Sequence, residues 1–134
     1  IYENKLYDEI DTILQELNNR NKKCIIATSK PETFAKIITQ YFNIKKYFKY
    51  IVGSNLDGTL SEKEDIIKYI IEKYKLTKKE TIMVGDRKYD IIGAKKNGID
   101  SIGVLYGYGT QEELEKADPK YLCKNVMDIL KIIE

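Results

Sequence analysis

Histidine is absent from all 134 residues. Without an imidazole, Ser-His-Asp and Cys-His catalysis, histidine phosphoenzymes and His-ligated zinc are excluded. Cysteine is nearly as scarce: Cys24 and Cys123 stand far apart and form no CxxC pair. A Cys-x5-Arg phosphatase loop fails as well, because Lys30 occupies the place where Cys24 would need its arginine. Both thiols are expected to be reduced and interior. Only Arg20 and Arg87 among the 23 basic side chains are arginine, leaving 21 lysines. A surface that reads nucleic acid normally carries more guanidinium forks than that. The net charge of +2 and pI of about 8.4 describe near-neutrality rather than a basic surface built for nucleic acid. No apolar run approaches the roughly 20 residues of a membrane span, and no signal peptide opens the chain. The expectation is a cytoplasmic protein with neither nucleic-acid nor membrane partners.

What is present is an ordinary globular balance, 43% hydrophobic and 33% charged, in a length that supports one domain, residues 1–134. Residue 1 is isoleucine and a helical pattern is under way by residue 5, so the chain is expected to begin inside a longer protein. Leu6, Ile10, Ile13, Leu14 and Leu17 form one helical stripe that ends at Asn18–Asn21. Cys24–Ala27 is a wholly apolar run, the mark of a buried parallel strand. Pro31 then fits a first helical turn, and Phe34, Ile37, Ile38, Tyr41 and Phe42 are expected as that helix's buried face. Tyr50–Val52 is a weaker strand. Ser61 and Glu64 read as a capping box for a helix buried through Ile66, Ile67, Ile70, Ile71 and Tyr74. Thr81–Val84 is a second buried strand, followed by a helix that Asn97-Gly98 stops. Ser101–Leu105 is a third strand, Thr110 and Glu113 make another capping box, and Val126–Ile133 is a last amphipathic helix. This alternation predicts an α/β fold, a doubly wound parallel sheet with helices on both faces.

Such folds place chemistry at the carboxyl ends of strands. Thr28, Ser29 and Lys30 follow the first strand, where a hydroxyl and two backbone N–H groups beside a helix N-terminus can cradle an anion. The plainer alternative is that Ser29 or Lys30 caps the helix. Lys63 falls in the first turn of its helix, where a cation opposes the dipole, and one lysine among 21 can simply be solvated. Gly85-Asp86-x-x-x-Asp90 follows the second strand directly. Two carboxylates without histidine or thiolate suit a hard cation such as Mg2+, which prefers oxygen ligands and keeps several waters. Asp86 as a helix cap and Asp90 as a solvated side chain is the competing reading. The loop Tyr106–Thr110 completes the strand-end set.

Thr28 in IIATSKP, Lys63 in LSEKEDII, and Asp86 with Asp90 in IMVGDRKYD resemble motifs II, III and IV of the haloacid dehalogenase (HAD) superfamily. Their order and spacing, with the loop Gly107-Tyr108-Gly109-Thr110-x-Glu112-Glu113-Leu114, are similar to the phosphoglycolate phosphatase-like branch, a signature that 5′-nucleotidases share. The resemblance runs from about Tyr2 to Ile133 and implies a Rossmann-like core and a Mg2+-dependent phosphatase. It implies that Thr28, Ser29, Lys30 and Lys63 bind the phosphate of a small phosphorylated metabolite, such as phosphoglycolate or a nucleoside monophosphate. Catalysis would fall to Thr28, Lys63 and Asp86. Asp86 and Asp90 would serve the metal, with Asp90 supporting the site or orienting Lys63.

Motif I, DxDGT, which bears the nucleophilic aspartate at the end of the family's first strand, has no counterpart ahead of Thr28. Asn55-Leu56-Asp57-Gly58-Thr59-Leu60 imitates it, but between motifs II and III, and with an amide where the nucleophile belongs. We read it as a turn on Asp57-Gly58 rather than a permuted motif I. The chain thus resembles the carboxyl-terminal part of a HAD core, without motif I or the substrate-selecting cap, and the missing amino-terminal segment is a candidate partner. The family's motif I strand lies between the strands ending at Thr28 and Gly85, so its loss should leave two strands unpaired or force them together. A receiver-type signalling module has its acidic and threonine/lysine elements in the opposite order. A catalytically inactive phosphate- or Mg2+-binding regulatory domain of the same fold is the alternative function.

Overall fold

The computed structural model describes residues 2–55 and 60–134, with side chains from Asp8 onward. The chain runs α1 (Tyr2–Asn19), β1 (Cys24–Pro31), α2 (Glu32–Tyr41), β2 (Phe48–Ser54), α3 (Lys63–Lys73), β3 (Ile82–Gly85), α4 (Lys88–Lys96), β4 (Asp100–Val104), α5 (Gln111–Ala117), β5 (Tyr121–Cys123) and α6 (Ile129–Ile132), with short 3-10 turns at Lys45–Tyr47, Lys78–Glu80 and Val126–Asp128. Every strand pairing is parallel. The α/β expectation holds, with the sheet divided in two. β1 pairs with β2, and β3, β4 and β5 form a separate three-stranded sheet in that order. Of the two outcomes foreseen for the strands ending at Thr28 and Gly85, the structure has them unpaired. That arrangement also explains why β1 and most of β3 are half-buried where full burial was expected: among the described residues, neither has a strand neighbour on its inner edge.

Two helices hold the halves together. Ile25 and Ala27 of β1 and Val52 of β2 pack on Ile66 and Ile70 of α3, while Ile67 and Ile71 on the same helix reach Met83, Ala94 and Ile99. On the opposite face, Ile13 and Leu17 of α1 pack with Ile82, Val84, Ile102 and Val104 of the larger sheet and with Cys24 of β1. Alternate residues of β1 and β3 thus serve the two faces, the period of two that an extended strand imposes. Arg20 fastens α1 to the chain's last helix, donating from Nη1 to the carbonyls of Leu130 (2.9 Å) and Ile133 (2.7 Å).

Several expectations need correction. On α2 the buried residues are Ala35 and Thr39, whereas Phe34, Ile37 and Tyr41 are 55%, 60% and 81% exposed and Ile38 is exposed as well. The helix lies against β1 and β2 through its small residues, and among the described residues no other element covers its bulky face. Pro31 is the N-cap of α2 rather than part of its first turn. The N-cap of α3 is Glu62 without a side-chain bond, so the Ser61–Glu64 box does not form. Half of the second box forms: the Thr110 hydroxyl accepts from Glu113 N at 3.1 Å, while the Glu113 carboxylate turns to Arg87. Val126–Ile133 is a 3-10 turn and a four-residue helix. β5 was not anticipated. The Asp57-Gly58 turn lies outside the described residues. Among the described residues, no helix is long and apolar enough to cross a membrane.

Candidate active site

β3 ends at Gly85, and α4 begins three residues later. A Cβ on Gly85 would collide with the Asp90 side chain, so only glycine lets that carboxylate fold back over the strand tip. Asp90 sits in the first turn of α4, where free backbone donors attract an anion. Its Oδ2 accepts from the N–H groups of Asp86 (3.1 Å) and Arg87 (3.2 Å). Its Oδ1 pairs with Lys63 Nζ at 2.8 Å, and the residue is 5% exposed.

Lys63 opens α3 and reaches Asp90 because α3 and α4 lie close. A Cβ at Gly93 would meet Glu64 N at 3.2 Å, and Asn97 Nδ2 donates to the Glu64 carbonyl at 3.0 Å. The unfavourable placement of a cation at a helix start is offset by that carboxylate and by the carbonyl of Ala27, to which Nζ also donates at 2.8 Å. An ammonium has three protons. Two are engaged here, and the third has no partner among the described residues.

Asp86 is half-buried at the tip of β3, and its Oδ2 accepts from Tyr108 N at 2.9 Å. Lys63, Asp86 and Asp90 share a cleft of about 280 Å³ with Ala27, Met83, Val84, Gly85, Val104, Tyr106 and Gly107. Since Ala27 belongs to β1 and Met83–Gly85 to β3, the cleft lies between the two unpaired strand edges. Thr28 is one residue beyond this lining. The regular β1–β2 register breaks after Ala27, and in the irregular stretch the Thr28 hydroxyl accepts from Lys30 N at 3.2 Å. Ser29 and Lys30 are exposed, line no part of the cleft, and do not cap α2. The structure therefore gathers Lys63, Asp86 and Asp90 and leaves Thr28, Ser29 and Lys30 outside the lining.

Two features of the cleft carried no assigned role in the sequence. The Ala27 carbonyl is a main-chain group with no sequence signal. Tyr106 stood in the strand-end loop without a function; its phenol is pushed up to about 12, first by burial and then by the charge of Asp86. Beside the cleft, Arg87 Nε donates to Glu113 Oε2 at 2.9 Å and Lys88 N donates to the same oxygen at 2.9 Å. These bonds hold the Glu113 carboxyl below its ordinary range, the Arg87 contact contributing most. They tie the start of α5 to the start of α4. Among the described residues, no three acidic or thiol side chains converge as a complete metal site.

The profile of the haloacid dehalogenase-like hydrolases matches residues 2–104. A 5′-nucleotidase from Pseudomonas aeruginosa is 37% identical over 134 residues, which is 100% of this chain and 61% of that protein. A phosphoglycolate phosphatase from Vibrio parahaemolyticus is 28% identical over 128 residues, 96% of this chain and 56% of that one. The crystal structure of a predicted phosphatase from Clostridium acetobutylicum superposes with a TM-score of 0.92 at 46% identity, covering 95% of this chain and 59% of the other. The chain thus spans about three fifths of the length of the proteins it matches.

Proposed function

The chain belongs to the haloacid dehalogenase-like hydrolases, and from that premise we propose that residues 1–134 are the motif II to IV portion of a Mg2+-dependent phosphomonoesterase. Its substrate is a small organic phosphate such as phosphoglycolate or a nucleoside monophosphate. The aspartyl nucleophile, which carries the phosphoryl group between transfer and hydrolysis, comes from a segment outside these residues. The reading places the enzyme in the cytoplasm, a compartment that keeps Cys24 and Cys123 as free thiols.

The observation that carries the proposal is the cleft itself. A lysine with two of its three protons engaged and an aspartate share the cleft between two parallel strand edges that, among the described residues, lack a neighbour. A parallel strand entering there would pair on both sides and bring its carboxyl end level with Thr28 and Asp86. Lys63, held by Asp90 and Ala27, would offer its third proton to a phosphoryl oxygen and offset the charge gathering there. Thr28, whose hydroxyl accepts from Lys30 and so keeps its own proton, would donate to a second oxygen. Ser29 and Lys30 would approach the phosphate from outside the lining.

Asp86 fits a magnesium ion better than Asp90 does. Asp86 Oδ1 has no hydrogen bond among the described residues, whereas both oxygens of Asp90 are engaged. Asp90 then acts by orienting Lys63, the second of the two roles the resemblance allowed it. One carboxylate does not complete the oxygen shell that Mg2+ needs, so further ligands would come with the incoming strand. When bound, the metal supplies Lewis-acid polarisation and in-line orientation of the phosphate.

The test is an assay of the 134-residue chain with Mg2+ and para-nitrophenyl phosphate, phosphoglycolate or a nucleoside monophosphate. The chain alone should give no useful turnover, because among the described residues nothing is placed to attack phosphorus. Addition of a DxDGT-bearing amino-terminal segment, covalently or as a second chain, should restore turnover, and Asp86→Asn should then remove it. Mg2+-dependent turnover by the chain alone, lost on Asp86→Asn and indifferent to Asn55→Ala, would overturn the placement of the nucleophile.

A further inference from the structure

A hollow of about 340 Å³, larger than the cleft around Lys63, opens at the other end of the strands, beside Cys24 and Phe48 where β1 and β2 begin. Four lysines line it, Lys22 and Lys23 from one side and Lys46 and Lys49 from the other, together with Asn18 and Asn21 and without a carboxylate. Several other lysines have acidic partners: Lys36 with Glu32, Lys95 with Asp118, Lys96 with Glu64, Lys116 with Glu112 and Lys120 with Asp100. Among the described residues none of the four has an anionic partner; Lys46 and Lys49 lie instead over the rings of Tyr47 and Tyr50. On a chain whose net charge is +2, that is a local separation of charge.

The frame beneath these lysines is fixed. Asn18 Nδ2 donates to the carbonyls of Leu14 (2.8 Å) and Tyr47 (3.1 Å), clamping the end of α1 to the 3-10 turn that carries Lys46. Asn21 adopts a left-handed conformation, φ 62°, and Lys22 N donates to the Leu17 carbonyl at 2.9 Å. Tyr47, whose hydroxyl is hydrogen-bonded to Asp11, forms a wall. Four ammonium groups on such a frame repel one another, and an anion with several charges relieves that repulsion while accepting charge-assisted hydrogen bonds from more than one side. Ammonium groups approach phosphate oxygens as point charges from any direction, so no planar fork is required.

We propose that this hollow is a second anion site, separate from the cleft, that binds a di- or triphosphate group, free or carried by a nucleotide. The test is calorimetric titration of the 134-residue chain at low salt with inorganic triphosphate, without Mg2+. Saturable binding is expected, weakening as salt rises and falling about tenfold or more in the triple variant Lys22→Gln, Lys46→Gln, Lys49→Gln. A control triple of the same charge change, Lys68→Gln, Lys79→Gln, Lys124→Gln, should keep its affinity within about twofold, and Lys63→Ala should keep it as well. Saturating triphosphate should also slow alkylation of Cys24, which lines the hollow. Repeating the titration with a nucleoside triphosphate separates the two sources: equal affinity assigns the phosphate chain alone, and tighter binding assigns the nucleotide. Absence of saturable binding, an equal loss in the control triple, or loss in Lys63→Ala without loss in the first triple would overturn the proposal.

Discussion

Lys63 and Asp90 are unequal partners, and the inequality is measurable. Removal of Asp90 strips an ammonium whose side chain is 14% exposed of its anion, and two amides of their acceptor. Asp90→Ala should therefore destabilise the chain by about 3 kcal/mol, in the range found when one member of a buried pair is deleted. Lys63→Met leaves Asp90 with both amide bonds and should cost about 1–2 kcal/mol. Urea unfolding of the two variants checks the order, and equal losses would mean that the amide bonds contribute nothing. Glu113 gives a pH-dependent counterpart. Its carboxyl titrates below the ordinary value of 4.5 because Arg87 and the Lys88 amide stabilise the charged form. A depressed folded value means that the contribution is complete above the unfolded value and fades as pH falls through the folded one. The thermal midpoint of the native chain should thus drop more steeply below pH 4.5 than that of Glu113→Gln, and parallel curves would refute the linkage.

Helix α2 shows what a pattern of apolar residues can and cannot specify. The spacing of Phe34, Ile37, Ile38 and Tyr41 says that these residues share a face, yet the packed face is the one bearing Ala35 and Thr39. Ile37→Gln should change stability by less than about 0.5 kcal/mol, whereas Ala35→Leu should cost about 1–3 kcal/mol by overpacking against the strands. Chemical denaturation of both variants decides between the two faces, and a larger loss at Ile37 would restore the sequence-based expectation. Elsewhere the elements were legible for definite reasons. β1, β3 and β4 announce themselves as apolar runs, and Gly98, at φ 71°, ends α4 where Asn97-Gly98 predicted. β5 did not, since Tyr121-Leu122-Cys123 is too short to show a period. In the cleft, Lys63, Asp86 and Asp90 were legible from motif spacing. The bond from Lys63 to Ala27 was not, because one carbonyl in a chain looks like any other. The approach of α3 to α4 depends on Gly93, an inconspicuous residue until the Glu64 backbone is seen against it.

At the scale of the whole molecule, the division of the sheet decides how the chain is bound together. α3 and α1 span the halves from opposite faces, so the core is continuous although the hydrogen-bonded ladder is not. Among the described residues, β4 has a neighbour on each side, whereas β1 and β3 each have one. In a parallel ladder successive amides point to opposite edges of the strand. Deuterium uptake along β1 and β3 should therefore follow the same period of two as the side chains, slow where the N–H meets a strand and fast where it faces the cleft. Across Ile102 and Gly103 of β4, which have β3 on one side and β5 on the other, protection should be unbroken, because their amides are released by a larger opening. A residue-resolved exchange experiment would read the absent neighbour as a rhythm: every second amide of two strands becomes a clock for how often that inner edge is wet.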